Sequence, residues 1–143
     1  MKTHDRMLVG ALAALVLVAS PSAAQDFKVI VNPANAVAEL PAEVLGKILL
    51  KEVTSFPSGG AATPVDLGKA SPVRAAFSKR VVGRPLPAVE KYWQQQIFSG
   101  KDEPPPIKSS DDEVVAFVKA NPGAVGYVSS AANVAGVKVV EVK

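Results

Sequence analysis

Between residues 63 and 83 the chain reads TPVDLGKASPVRAAFSKRVVG, and here its side chains are best spaced to hold an ion. The apolar run 64–67 reads as a strand, and Gly68-Lys69-Ala70 as the loop that follows it. Ser71 is placed to cap an amphipathic helix, and Pro72 occupies its first position. A helix start carries unpaired backbone N–H groups and a partial positive charge. Strand, loop and helix start together make a generic anion site, with Lys69 and Arg74 adding charge at its rim. The chemistry such a site supports is reversible binding of an oxyanion. Ser-Pro is also a common helix opener, and most such openings face only water.

Absences narrow the function further. The chain has no cysteine, and its one histidine, His4, lies near the N-terminus. Without them the domain builds neither a Cys/His zinc site nor a Ser-His-Asp or Cys-His nucleophile. A Ser-Lys arrangement or a carboxylate pair stays open, but no motif points to either. Asp111-Asp112-Glu113 is the only acidic cluster, and a helix N-terminus explains it better. No catalytic residue, metal ligand or cofactor is therefore assigned, and binding is preferred to turnover. The formal charge of +3 is mild and the lysines are scattered, so nucleic acid is not expected as a partner.

The N-terminal stretch belongs to a different problem. Lys2 and Arg6 precede an unbroken apolar run over residues 7–19, and Pro21-Ser22-Ala23-Ala24 ends in small residues. This is the pattern of a secretory signal peptide over residues 1–24, cut after Ala24. The run is short for a membrane span, and there is no twin arginine. A periplasmic or secreted location is expected. Residues 25–143 then form one domain, which buries roughly two thirds of its unfolded surface. Its formal charge falls to +2 with the loss of Lys2, Arg6 and Asp5.

Around the loop, the remaining elements follow from periodicity. Residues 27–31 are β-branched and read as a strand, closed by the turn residues Asn32-Pro33-Ala34-Asn35. Pro41 opens a helix whose apolar face is Val44, Leu45, Ile48 and Leu49. Phe56 anchors the tight loop 56–60. A helix over about 88–98 carries Val89, Tyr92, Trp93, Gln96 and Ile97 on one face, with Trp93 and Phe98 expected in the core. Pro104-Pro105-Pro106 forces an extended connector. Ser110 with Glu113 forms a capping box for a helix burying Val114, Val115, Phe117 and Val118. Residues 124–128 read as a buried strand in which Gly126 allows close backbone approach. A last strand over 137–142 is expected at an edge, guarded by Lys138 and Lys143. The alternation predicts an α/β fold, a mainly parallel sheet with helices on both faces.

The order of these motifs resembles a known family. A strand ending in Asn32-x-x-Asn35, the helix over 41–50, the Phe56-Pro57-Ser58-Gly59 loop and Ser71-x-x-Arg74-x-x-Phe77 come first. Tyr92-Trp93, Phe98-x-Gly100, Pro104-Pro105 and Asn121-Pro122-Gly123-Ala124-Val125-Gly126-Tyr127-Val128 follow. Together they are similar to the phosphate-binding proteins of ABC importers, in the type II periplasmic binding protein superfamily. The resemblance implies one α/β lobe of a two-lobed receptor, taking up phosphate at a helix N-terminus. It implies Ser71, Arg74, Lys69, Asn32 and Asn35 as ligand-binding residues. As partners it implies phosphate or another oxyanion and an ABC permease, while an adaptor that lost its ligand would instead contact another periplasmic protein or a second copy in a homodimer.

Departures from the family pattern set the expected strength. Where full receptors carry Ser-Gly-Thr, this chain has Ser71-Pro72-Val73, which removes an N–H and a hydroxyl. The upstream arginine of those receptors has no counterpart. Asp66 stands there instead and is expected to repel phosphate, with Lys69 and Arg74 compensating in part. Micromolar binding requires about 8 kcal/mol, so half a site is expected to bind at millimolar concentration. A second expectation is an adaptor that kept the lobe and lost the ligand. A hydrolase has the least support, because no nucleophile has an identifiable base.

Overall fold

The computed structural model describes residues 26–143; the signal-peptide reading and its cleavage after Ala24 fall outside the described residues. The frame begins with β1 (Phe27–Val31), whose sequence FKVIV is buried from Val29 onward. It lies between β6 (Ala124–Ser129) and β7 (Lys138–Val142) and runs antiparallel to both, with Val31 opposite Val125 on one side and Lys138 on the other. Two short strands extend the sheet in parallel: β2 (Glu39–Leu40) beside β7 and β3 (Thr63–Pro64) beside β6. The order is β2-β7-β1-β6-β3. A separate parallel pair joins β4 (Asp66–Leu67) to β5 (Ile107–Lys108). The α/β class is as expected, and the short ladders are parallel. The longest ladders are antiparallel, so the sheet is mixed, because β1 opposes both of its neighbours.

Helices cover both faces, and adjacent residues of β6 show why. Successive strand residues point to opposite sides. A Cβ on Gly126 would lie 2.6 Å from Val65 Cγ1 and 2.9 Å from Val114 Cγ1. Only glycine lets α4 (Asp111–Ala120) approach this closely. Tyr127 turns the other way and stacks on Phe77 of α2 (Pro72–Phe77), with centroids 3.8 Å apart, while Phe27 meets Phe77 edge-on at 5.3 Å. These rings close the main core, with Ile30, Leu40, Leu45, Ile48 and Val118 among its buried members.

From Phe77 the chain continues through a π-helical turn (Ser78–Val82) to Gly83, which adopts φ 74°. This turn packs on α1 (Ala42–Leu49) at Gly46, where a Cβ would come within 2.7 Å of the Val81 carbonyl. Then α3 (Leu86–Phe98) buries Val89 and Trp93 against Leu50 in a small second cluster.

Three further expectations change. The strand expected over 64–67 breaks at Val65, whose N–H donates to the Val125 carbonyl, so its halves join different sheets. The last strand is not at the edge: β2 covers it, Lys138 Nζ donates to the Asn35 carbonyl and Lys143 pairs with Glu39. Finally, Phe98 is 96% exposed and Ile97 57%. Only the Val89–Trp93 side of α3 reaches the small cluster, and the last turn projects beyond it.

Candidate functional site

The pairing of β4 with β5 assembles the site. It sets Leu67 beside Lys108; the Asp66 N–H donates to the Pro106 carbonyl and the Gly68 N–H to the Lys108 carbonyl. The two chains then leave side by side, one into residues 68–71 and α2, the other into residues 109–111 and α4. Both helix starts therefore open on one cleft of about 680 Å³, lined by residues 67–71, Val73 and residues 109–111. The sequence marks Ser110 only as a cap and gives Ser109 no role. Nothing local announces that the triple-proline connector returns them to Ser71; the signal is a pairing between strands forty residues apart.

The two starts are chemically unequal. Ser71 Oγ accepts from the Arg74 N–H at 3.4 Å, and Pro72 has no N–H to give. The Val73 N–H is left as a first-turn donor, no acidic residue occupies that turn, and Lys69 stands exposed beside it. At α4, Ser110 Oγ accepts from the Glu113 N–H and Glu113 Oε2 accepts from the Ser109 N–H at 2.8 Å. Asp111, Asp112 and Glu113 fill that first turn. Asp111 also accepts from the Ser129 N–H at 3.2 Å and hydroxyl at 2.6 Å. The positive end of α4 is thus served by its own carboxylates, whereas that of α2 is not.

Arg74 lies behind this surface. It is 5% exposed, and its Nη2 stands 3.3 Å from Asp66 Oδ2. Asp66 is buried too, its Oδ1 accepting from the Leu67 N–H at 2.9 Å and from the Tyr127 hydroxyl. Burial pushes the Asp66 carboxyl above the usual carboxylate range, against the pull of Arg74, the Tyr127 hydroxyl and the Leu67 N–H. The Tyr127 phenol is pushed up by burial and by Asp66. Asp66 therefore does not face a ligand to repel it, and Arg74 is spent on neutralising Asp66. Arg74 Nε is, among the described residues, the buried side-chain nitrogen or oxygen left without a hydrogen bond.

Of the candidates read from sequence, Ser71 and Lys69 line the cleft and Arg74 supports it. Asn32 and Asn35 are elsewhere. Asn32 Nδ2 donates to the Val118 and Lys119 carbonyls at 2.9 and 3.0 Å, and its Oδ1 accepts from the Ala34 N–H. It closes the C-terminal end of α4, roughly 15 Å of helix from Ser110. Asn35 lies on a separate depression of about 390 Å³ with Phe56 and Gly123, and its Oδ1 accepts from the Val37 N–H. Among the described residues no group of three or more His, Cys, Asp or Glu side chains could hold a metal ion. No helix there is long and apolar enough to cross a membrane.

Known structures share this fold. An ABC-type phosphate transport receptor from Vibrio cholerae matches with a TM-score of 0.63 and 20% identity, over 82% of this chain and 46% of that one. A phosphate ABC transporter substrate-binding protein from Clostridium perfringens, solved with bound phosphate, matches with 0.63 and 20%, over 82% and 44%. A phosphate binding protein from Stenotrophomonas maltophilia matches with 0.55 and 18%, over 83% and 39%. The chain thus spans less than half the length of these structures, and the likeness is one of fold. No protein-family model matches the chain, and no curated protein matches it in sequence.

Proposed function

We propose that this chain is an exported, solute-binding protein that takes phosphate or a similar oxyanion weakly at the start of α2, in service of phosphate ABC transport or sensing. The carrying observation is the unserved helix start: Ser71, the Val73 N–H and Lys69 open on the cleft with no acid in the first turn. The fold shared with phosphate receptors supports the ligand class. A helix start contributes ~0.3–1 kcal/mol, and each hydrogen bond to a charged group about 1.5–3. Donation from the Ser71 hydroxyl and the Val73 N–H brings the gross gain to about 3–7 kcal/mol, from which the cost of association is subtracted, so the expected affinity is millimolar. Arg74, Asn32 and Asn35 act in this reading as framework. An ABC permease is the downstream partner that phosphate transport requires, and the periplasm the matching location.

Thermal unfolding in phosphate, with ionic strength matched by chloride, tests the reading. About 50 mM phosphate should raise Tm by a few degrees, and Lys69→Gln should reduce that rise. An equal rise in both proteins, or none in either, overturns it.

The alternative is an adaptor that kept the lobe and lost its ligand. The exposed Ile97 and Ile107, which line one groove, and the exposed Phe98 favour it, since exposed apolar surface marks interaction sites. Chemical cross-linking in the periplasm that recovers a partner at this face, together with no response to phosphate, would select it over oxyanion binding.

A further inference from the structure

Across the Gly68–Lys69 loop from the anion cleft lies a second groove, of about 510 Å³. One wall is α3, which turns Glu90, Trp93, Gln94 and Ile97 toward it at helical spacing. Gly68, Lys69 and Arg74 form the other wall with Pro104 and Ile107. At Lys69 the groove meets the cleft, and at Ile97 and Pro104 it meets a depression over residues 100–104. Glu90 stands ~10 Å of helix away from Ile97. Charged groups therefore gather toward the Lys69 end, and apolar surface fills the rest.

The charged groups there are not answered within the fold. Arg74 lines the groove and is 5% exposed, and its guanidinium carries five N–H donors. Asp66 Oδ2, 3.3 Å from Nη2, balances its charge, while Nε is buried without a hydrogen bond. A buried donor in that state calls for a partner beyond the fold itself. Among the described residues, the side chains of Lys69 and Glu90 make no ion pair or hydrogen bond, with each other or with a neighbour. Lys101, Asp102 and Glu103 belong to the neighbouring depression, where Asp102 pairs with Lys51 at 3.5 Å. The described residues of the groove thus offer a free cation, a free anion and spare guanidinium donors beside the apolar Trp93, Ile97, Pro104 and Ile107. A ligand of single sign is drawn to one of Lys69 and Glu90 and repelled by the other, whereas a zwitterion is answered by both.

We propose that this groove binds a free α-amino acid with an apolar side chain. Its carboxylate accepts from Lys69 and Arg74, its ammonium donates to Glu90, and its side chain lies over Trp93 toward Ile97 and Pro104. A cavity of this volume, mostly apolar with a few convergent polar groups, is the usual make-up of a small-molecule site. Gln94, one helical turn on from Glu90, adds an amide that both donates and accepts. The site does not depend on the oxyanion reading: it shares Gly68 and Lys69 with the cleft, and its other groups are its own.

Trp93 is the one tryptophan of the chain, so its fluorescence reports on this groove alone. Titration with L-leucine should change that emission saturably at millimolar concentration, with amide shifts at residues 69, 90 and 94. Glu90→Gln, with unchanged circular dichroism, should weaken leucine about tenfold. 4-Methylpentanoate, which is leucine without its amine, should bind the wild-type protein about tenfold more weakly than leucine and gain nothing from Glu90. Lys69→Gln should weaken both ligands. No saturable change in either signal up to about 50 mM leucine overturns the proposal. So does a leucine affinity indifferent to Glu90→Gln, or 4-methylpentanoate binding the wild type as tightly as leucine. A leucine response in a protein indifferent to phosphate keeps this site and overturns the oxyanion reading; the reverse pattern does the opposite.

Discussion

The helix starts at Ser71 and Ser110 follow one local recipe and reach opposite chemical ends. Each begins with a serine whose hydroxyl accepts an N–H from its own first turn, and both face the same cleft. The α4 start loads Asp111, Asp112 and Glu113 into that turn, and Asp111 is further held by Ser129. The α2 start carries Pro72 and Val73 there and keeps its acid, Asp66, buried behind it against Arg74. Capping alone therefore does not make an anion site. The charge placed within one turn of the cap decides whether the positive end is answered inside the molecule or left for a solute.

The contrast can be broken most forcefully from behind α2. Arg74→Met strips a buried carboxylate of its partner and should cost about 3–5 kcal/mol of stability near neutral pH. That loss should shrink in acid, where Asp66 is protonated. The sign follows from linkage. A carboxyl whose folded pKa is raised stabilises fully below its unfolded value and loses that contribution as pH rises through the folded value. The urea-derived stability of wild type minus that of Asp66→Asn should therefore fall as pH rises from about 4, the unfolded value. A difference that stays flat with pH would contradict the burial of this group.

Smaller changes at the starts themselves sharpen the comparison. Ser110→Ala should cost about 1 kcal/mol in denaturant unfolding, because it dismantles a reciprocal cap. Asp112→Asn should cost about 0.3–1 kcal/mol, and it should begin to admit phosphate at α4, seen as new amide shifts at residues 110–113. Ser71→Ala should cost about 0.5 kcal/mol in stability, at the low end for a cap, since its cap bond is long at 3.4 Å. Its larger effect should be on phosphate, an affinity loss of about tenfold or more for one missing hydrogen bond to a charged group.

Much of this was legible in the sequence because it is local. Ser71-Pro72, Ser110 with Glu113, and the buried run at β6 announce themselves within a few residues. The parallel stack of Phe77 on Tyr127 and the junction of Ser71 with Ser110 are not local; they depend on which strand pairs with which. Val65 illustrates the difficulty, since an apolar run reads as one strand whether or not its ends enter the same sheet. Asn32 and Asn35 sit in a recognisable motif, yet the α4 C-terminus uses the Asn32 side chain as a cap, a role that spacing cannot reveal. Phe98 was assigned to the core on residue type alone. The fold gives it no interior to enter, because the second cluster ends at Trp93.

The inequality of the two helix starts is tested most directly by following backbone amide shifts of both in one phosphate titration. Progressive shifts are expected at residues 69–71, 73 and 74 with millimolar affinity, and no movement at residues 110–113. Movement at the α4 start instead, or silence at both up to tens of millimolar, would contradict that inequality.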